Sequence, residues 1–358
     1  MAVPVRVADP AELESWDARV VEVPGGNVYQ SRAWAAHRAR LGWTPHFLVL
    51  DDGFPVLALT RPWRGLAGSS AYVSRGPIPA ADARTTADRL VAVTAWLGDR
   101  GCDVVAADPE VPADSGFPEL LRGAGFHQIE EIQPTRHRLD LAVPPSGDEG
   151  TVFGAFSSTT RNLIRQAERQ GLTVRRVEGG VGDPTEREAC EVLYGFLRET
   201  STRRGFWLAS RSTFMSWMTA ALAAHLAFLL VVEDGDGQPV AAASFHRHGE
   251  RLTYALAGER TEARRSHPGA NRLLVWRAIQ VAMAEGRTVM DLSGVDVRGA
   301  RRRPRPGEPE QGMLQFKESF GARWVEMSGA HERVLRPGRY LAGRVIDRLT
   351  RGLGGSHP

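Results

Sequence analysis

Lysine is almost absent from this chain. Of 358 residues, lysine and arginine together number 45, and Lys317 is the single lysine. Cysteine is nearly as scarce. Cys102 and Cys190 stand far apart, with no second Cys or His at ligand spacing, which excludes a disulfide framework and a sequence-readable structural metal site. No run approaches the ~20 apolar residues that span a bilayer; the most apolar stretch, Leu226 to Val232, has the length of a strand. The first residues lack the apolar core of a secretory signal. These absences together lead us to expect a cytoplasmic protein with reduced, buried thiols. A formal net charge of only +3 excludes a uniformly basic surface, so any polyanion is met through a local patch. A Walker-type Gly-x-x-x-x-Gly-Lys-Ser/Thr loop is missing as well.

What is present reads as a soluble α/β protein, 42% apolar and 24% charged, long enough for two domains. In the first half, Ser31 is placed to cap a helix ending near Leu41. Strands follow at 46–50, 56–60 and 71–73, the first two joined by the Asp51-Asp52-Gly53 turn. A helix over 81–99 carries Leu90, Val93 and Leu97 on one face and is closed by Gly101. Strand 103–107 ends in Asp108-Pro109; a short helix from Phe117 and strands over 127–132 and 136–142 complete the half. In the second, helices are expected at 149–156, 159–170 (capped by Thr159 or Thr160), 184–204, 211–224 and 269–285. Strands are expected at 172–178, 227–232, 239–246, 251–257 and 289–292.

The halves echo each other. Each has a helix, a glycine (Gly101, Gly286), a strand holding an aspartate (Asp108, Asp291), then a helix and a second glycine. A repeated α/β unit predicts two packed domains with a ligand cleft where the copies meet. Pro144 to Asp148 is the best boundary. This gives a first domain at 1–144, joined by the segment 331–358, and a second at 145–330.

In order and spacing, several short signals resemble the Fem-type (FemABX) peptidyltransferases. They are Gln30-Ser31-x-x-Trp34 with Gly42-Trp43, Ser74-Arg75-Gly76-Pro77, and Arg161-x-x-Ile164-Arg165-x-Ala167 with Gly171. The rest are Glu199-Thr200 to Arg203-x-Gly205-Phe206, Asn271-x-Leu273-Leu274-x-Trp276, Asp291-Leu292-Ser293-Gly294 and Phe316-Lys317-x-x-Phe320-Gly321. The resemblance spans nearly the whole chain and implies two tandem GNAT-like acyltransferase domains, α/β with mixed sheets. No sustained heptads supply the coiled-coil arm that some members insert.

It also implies an activity: an amine attacks the ester that joins an amino acid to the 3′ end of a tRNA, forming an amide. Aminoacyl-tRNA is then a co-substrate, and neither ATP, a metal nor another cofactor is called for. By resemblance Lys317 stands beside the reacting carbonyl, where a compact ammonium suits an oxyanion better than a guanidinium fork, and Phe316 shapes the site. Arg203 matches an arginine that contacts the acceptor's diphosphate, and Arg38 stands where the family often has a phosphate-binding lysine. Tyr254 and Tyr72 match lining positions. Asp108 is a candidate proton acceptor, although an Asp before Pro is also an ordinary turn residue.

The arginine-rich loop at Arg298, Arg301, Arg302, Arg303 and Arg305 is either a tRNA-binding patch or a solvated insertion. Arg161, Arg165 and Arg169 either extend that patch or form the wet face of their helix. The acceptor is either a peptidoglycan-precursor peptide or a small peptide-like metabolite, as in antibiotic biosynthesis. The rival reading is an acyl-CoA-dependent N-acyltransferase, whose pyrophosphate loop would be Arg265 to Asn271. There a single glycine, preceded by Pro268, makes a poor cradle.

Overall fold

Polar caps and positive-φ glycines set the ends of the main helices. Ser31 accepts the Trp34 N–H at 3.0 Å and opens helix Arg32–Arg40. Asp82 accepts the Thr85 N–H at 2.8 Å and opens helix Ala83–Asp99. Gly101 and Gly286, at φ 94° and 67°, follow the ends of helices Ala83–Asp99 and Ala270–Ala284. Glycine enters that left-handed region at little steric cost. The structure is a computed structural model that describes residues 4–133, 135–144, 148–179, 184–297 and 299–351.

The strands are β1 (Val5–Val7), β2 (Thr44–Leu50), β3 (Pro55–Pro62), β4 (Ser69–Val73), β5 (Cys102–Ala107), β6 (His127–Gln128) and β7 (Arg138–Ala142). They continue with β8 (Thr173–Val177), β9 (Ala227–Glu233), β10 (Pro239–His248), β11 (Arg251–Glu259), β12 (Val289–Asp291), β13 (Arg323–Val325) and β14 (His331–Val334). Two mixed sheets result, ordered β1-β2-β3-β4-β5-β14-β6 and β13-β7-β12-β11-β10-β9-β8. Each holds one parallel pair, β4/β5 and β11/β12. A parallel pair needs a crossover; helices Ala83–Asp99 and Ala270–Ala284 supply it.

The chain divides into two compact units, Met1–His137 with Glu326–Pro358, and Arg138–Val325. This moves one expected element. Strand Arg138–Ala142, expected at the end of the first domain, pairs instead with β12 and β13 of the second sheet. In return β14, which follows β13 in sequence, pairs with β5 and β6 of the first. The divide therefore falls at 137/138 rather than in the proline-rich stretch, of which Pro145 to Gly147 lie outside the described residues.

Other differences are local. Ser157, not Thr159 or Thr160, caps helix Ser158–Arg169, accepting the Thr160 N–H at 3.2 Å. The strand expected over 127–132 is only His127–Gln128. Helix Pro337–Arg351 was not foreseen.

The first unit's core brings Leu48, Val56, Leu90, Val93, Val105 and Phe117 together; the second's includes Ile164, Phe228, Leu230, Leu273, Ile279 and Phe320. One buried charge ties helix Pro337–Arg351 to the first sheet. Asp103, fully buried on β5, accepts from Trp63 Nε1 and Arg339 Nε, each at 2.8 Å, with Arg336 NH1 at 3.9 Å. Asp103→Ala leaves the Trp63 indole and the Arg339 guanidinium without this acceptor and removes the charge facing Arg336, which keeps its bonds to the Cys102 and Gly98 carbonyls. We expect a loss of about 2–3 kcal/mol, less than a fully buried pair because both arginines are partly exposed. A lower urea midpoint with unchanged slope would show it; an unchanged midpoint would contradict it.

Among the described residues no helix is long and apolar enough to cross a membrane.

Candidate active site

Helix Gln311–Glu318 turns its inner face with residues three apart: Leu314, Lys317 and, just past its end, Phe320 are 4%, 5% and 0% exposed. The lone lysine thus occupies a core position. The helix end is pinned from outside: Ser157 N–H donates to Ser319 O at 2.8 Å and Thr160 Oγ1 to Ser319 Oγ at 2.7 Å. Gly321, at φ 88°, terminates it.

Lys317 Nζ donates to Ser293 O at 3.2 Å and to Gly294 O at 3.1 Å. An ammonium has three donors, so one remains with no acceptor among the described residues. Burial lowers the Lys317 pKa to about 8, against the opposing pull of Asp291 and Asp296, whose charges favour the ammonium. Phe316 packs edge-on against Phe320, ring centroids 5.4 Å apart. Over its ring sits Arg272, at 5.3 Å, half-buried and with no hydrogen bond or ion pair among the described residues. Tyr254 leans on Phe245 at 5.5 Å, and burial raises its pKa. Sequence reasoning passed over Arg272, although it is the unassigned position inside Asn271-x-Leu273. It also missed the Ser293 and Gly294 carbonyls, which side-chain chemistry does not reveal.

The arginine loop is folded, not simply solvated. Arg302 donates both guanidinium nitrogens to Glu308, one at 3.0 Å and one at 2.5 Å. Arg303 pairs with Glu318, and Arg301 is half-buried. Arg303 and Arg305 are the two exposed members, while Arg298 lies outside the described residues. Arg161 donates to Gly154 O at 2.7 Å and to Phe156 O, and Arg165 lies 5.3 Å over the Phe153 ring. Both thus serve the end of the neighbouring helix Glu149–Gly154. Arg203 is exposed in the last turn of helix Pro184–Arg204, donating to Thr261 Oγ1 at 3.0 Å.

Within the first unit, a cavity of about 390 Å³ is lined by Arg38, Trp43, Arg61, Tyr72, Tyr340 and Arg344 among others. Arg38 is 7% exposed, lies 4.8 Å over Trp43 and 5.3 Å from the Trp34 ring, and has no acidic partner among the described residues. Burial lowers its pKa to about 10. A buried guanidinium with no counter-ion is expensive unless a ligand supplies one.

Tyr72 reaches the same cavity, but its hydroxyl donates to Asp108 Oδ2 at 2.9 Å. The other Asp108 oxygen accepts the Arg75 N–H at 2.7 Å, and the Arg75 Nε lies 3.7 Å away. Burial pushes the Asp108 pKa up to about 6. These contacts brace the Ser74–Pro77 turn. Gln30 braces it from the other side, donating to Ser74 O at 2.6 Å.

Residues 156–302 match the family model described as "Acetyltransferase (GNAT) domain". No curated protein matches the chain in sequence. Among solved structures, that of FemX superposes with a TM-score of 0.77 at 17% identity, covering 95% of this chain and 99% of FemX. The chain has a Fem-like tandem GNAT fold. The C-terminal domain of a putative lysylphosphatidylglycerol synthetase from Agrobacterium fabrum is also similar: TM-score 0.56, 15% identity, 96% of this chain and 98% of that one. So is a tandem GNAT protein from the clavulanic acid biosynthesis pathway, with TM-score 0.51, 12% identity, and 92% and 98% covered. In this Fem-like chain Lys317 lies just after the GNAT-matched stretch, and both carbonyls that hold it lie inside that stretch.

Proposed function

We propose that this chain transfers an aminoacyl group from aminoacyl-tRNA to an amine, with Lys317 stabilising the oxyanion. The observation that carries this reading is the spare donor: two Lys317 N–H bonds are fixed by the Ser293 and Gly294 carbonyls, leaving one for a developing negative charge. The amine forms the new C–N bond at the ester carbonyl, and collapse of the tetrahedral intermediate breaks the C–O bond to the ribose. The proton the amine loses equals the one the ribose oxygen gains. Phe316 and Arg272 flank this position and suit the tRNA terminus, a ring for the base and a cation for the phosphate. Asp108 is given no proton-transfer step, since Tyr72 and Arg75 occupy its oxygens.

The acceptor falls to the first unit, where Arg38 has no counter-ion among the described residues and Tyr72 lines the cavity. A peptidoglycan-precursor peptide and a small peptide-like metabolite both satisfy it. In the second unit, Arg203 and Tyr254 are further candidate contacts. Use of charged tRNA would place the reaction in the cytoplasm.

The acyl-CoA reading meets two obstacles at helix Ala270–Ala284. A Cβ on Gly269 would strike Leu163 O and Ala167 Cβ, so that glycine serves helix packing rather than a phosphate cradle. Glu259 accepts from Asn271 in the first turn, putting a carboxylate where a pyrophosphate would sit.

The test is product formation from purified protein, each aminoacyl-tRNA in turn and a panel of amines, read by mass. An amide whose formation is abolished by RNase is expected; an RNase-insensitive product requiring acyl-CoA would overturn the proposal. The exposed arginines give a second check. Arg303→Ala with Arg305→Ala should weaken tRNA binding and reduce the log–log salt slope by about 1.5, two phosphate contacts at roughly 0.7–0.9 each. An unchanged slope removes the loop from tRNA recognition.

A further inference from the structure

Asp291 ends β12, paired across the sheet with Thr253 on β11 and with Asp140 on β7, and is 3% exposed. Its Oδ1 accepts the Ser293 N–H at 2.7 Å and its Oδ2 accepts the Thr253 hydroxyl at 3.1 Å. Ser293 is a non-glycine residue at φ 62°, a conformation that L side chains rarely adopt. The Asp291 bond holds it there, and so does Ser293 Oγ, which donates to Tyr254 O at 2.6 Å. The same turn brings the Ser293 and Gly294 carbonyls onto Lys317.

We infer that Asp291 is a positioning residue for Lys317, locking the 291–294 turn whose two carbonyls grip the ammonium and so fixing the direction of its third N–H. The kinetic consequence rests on the role proposed above for Lys317; the structural one does not.

Thr253 has one hydroxyl proton and gives it to Asp291. The 2.7 Å contact between Thr253 Oγ1 and His248 Nε2 must therefore be donated by the histidine. His248, Thr253 and Asp291 thus form one directed chain ending at the carboxylate. Among the described residues the charged groups that act on the ammonium are Asp291 and Asp296, which favour it from the loop that holds it. Arg272 lies over Phe316 from helix Ala270–Ala284. On β7, Asp140 faces Asp291 and pairs with Arg138 at 2.9 Å.

A chain with one lysine makes the test direct. Incorporation of [13Cε]lysine into the full chain gives a single Cε resonance, and its titration reports Lys317 alone. Asp291→Asn is isosteric and keeps an acceptor for Ser293 N–H while losing the charge. We expect its lysine to titrate about one pH unit lower than in the wild type, a roughly tenfold change in the proton dissociation constant. Thr253→Val should shift it less, in the same direction, and Thr253→Ser should restore it. Under the proposed function, kcat of Asp291→Asn at pH 7.5 should fall roughly threefold from the lost ammonium and recover at lower pH, with KM for tRNA nearly unchanged. An unchanged titration in both Asp291→Asn and Thr253→Val overturns the inference. Should Asp291→Asn fail to fold, the Thr253 pair decides by the same readout. A shifted titration in a protein without transferase activity upholds the inference and removes only its kinetic consequence.

Discussion

Lys317→Met should abolish aminoacyl transfer without lowering the melting temperature. Removing a single oxyanion donor typically costs 10²–10³-fold in turnover, about 3–4 kcal/mol. Stability moves otherwise, because the ammonium is 5% exposed and its pKa falls from 10.5 to about 8. That fall corresponds to ~3 kcal/mol of strain on the charged form. Loss of two hydrogen bonds to the Ser293 and Gly294 carbonyls, ~1 kcal/mol each, does not exceed the relief. Near-normal turnover in Lys317→Met would remove the residue from catalysis. Lys317→Arg should fail as well, since a guanidinium fork is larger than the ammonium that two backbone carbonyls hold at a position only 5% exposed.

Wild-type turnover should decline as pH rises through about 8, where the ammonium loses its proton. Stability carries the opposite sign. Between about 8 and 10.5 the unfolded chain binds more protons at this residue than the folded one, so folding becomes more favourable as pH rises. That increment should be present in the wild type and missing from Lys317→Met when denaturation is followed at pH 7 and pH 9.5.

The second large effect is expected at Arg38. Arg38→Met keeps the apolar stem against Trp34 and Trp43 but removes a buried guanidinium that no described residue neutralises. A charge-assisted contact of this kind contributes about 1.5–3 kcal/mol, so KM for an anionic acceptor should rise roughly 10- to 100-fold with kcat less affected. Arg38→Lys should restore part of it. The unliganded protein should be no less stable, because an unpaired buried charge is lost. An unchanged KM would return the cavity to a structural role.

Local structure was largely legible from the chain. Ser31 and Asp82 cap helices because their side chains reach N–H groups three residues on, and Gly101 and Gly286 end helices by adopting positive φ. Apolar spacing placed Leu90, Val93 and Leu97 on one buried face. Ser157 was missed in favour of Thr159 and Thr160, all three being sound capping residues; packing of Ser319 against the helix start chose among them. Helix Pro337–Arg351 was missed because its attachment comes from Asp103, far away in sequence.

The candidate site divides along the same line. The composition alone singled out Lys317, and its place between Phe316 and Phe320 suggested a task. Sequence could equally list Asp108 and the arginine loop, because a carboxylate reads the same whether its oxygens are free or taken. The fold shows Asp108 held by Tyr72 and Arg75, and Arg302 held by Glu308.

Sequence by itself therefore determined where most of the helices and strands lie, that the chain repeats an α/β unit, and that one ammonium stands apart from the arginines. These follow from interactions within a few residues and from side-chain identity. Only tertiary structure decided that β7 pairs in the second sheet rather than the first, and that, among the described residues, Lys317 is buried with one N–H to spare and Arg38 lacks a counter-ion. Strand partners, burial and charge neutralisation all depend on groups distant in sequence, and no local pattern encodes them.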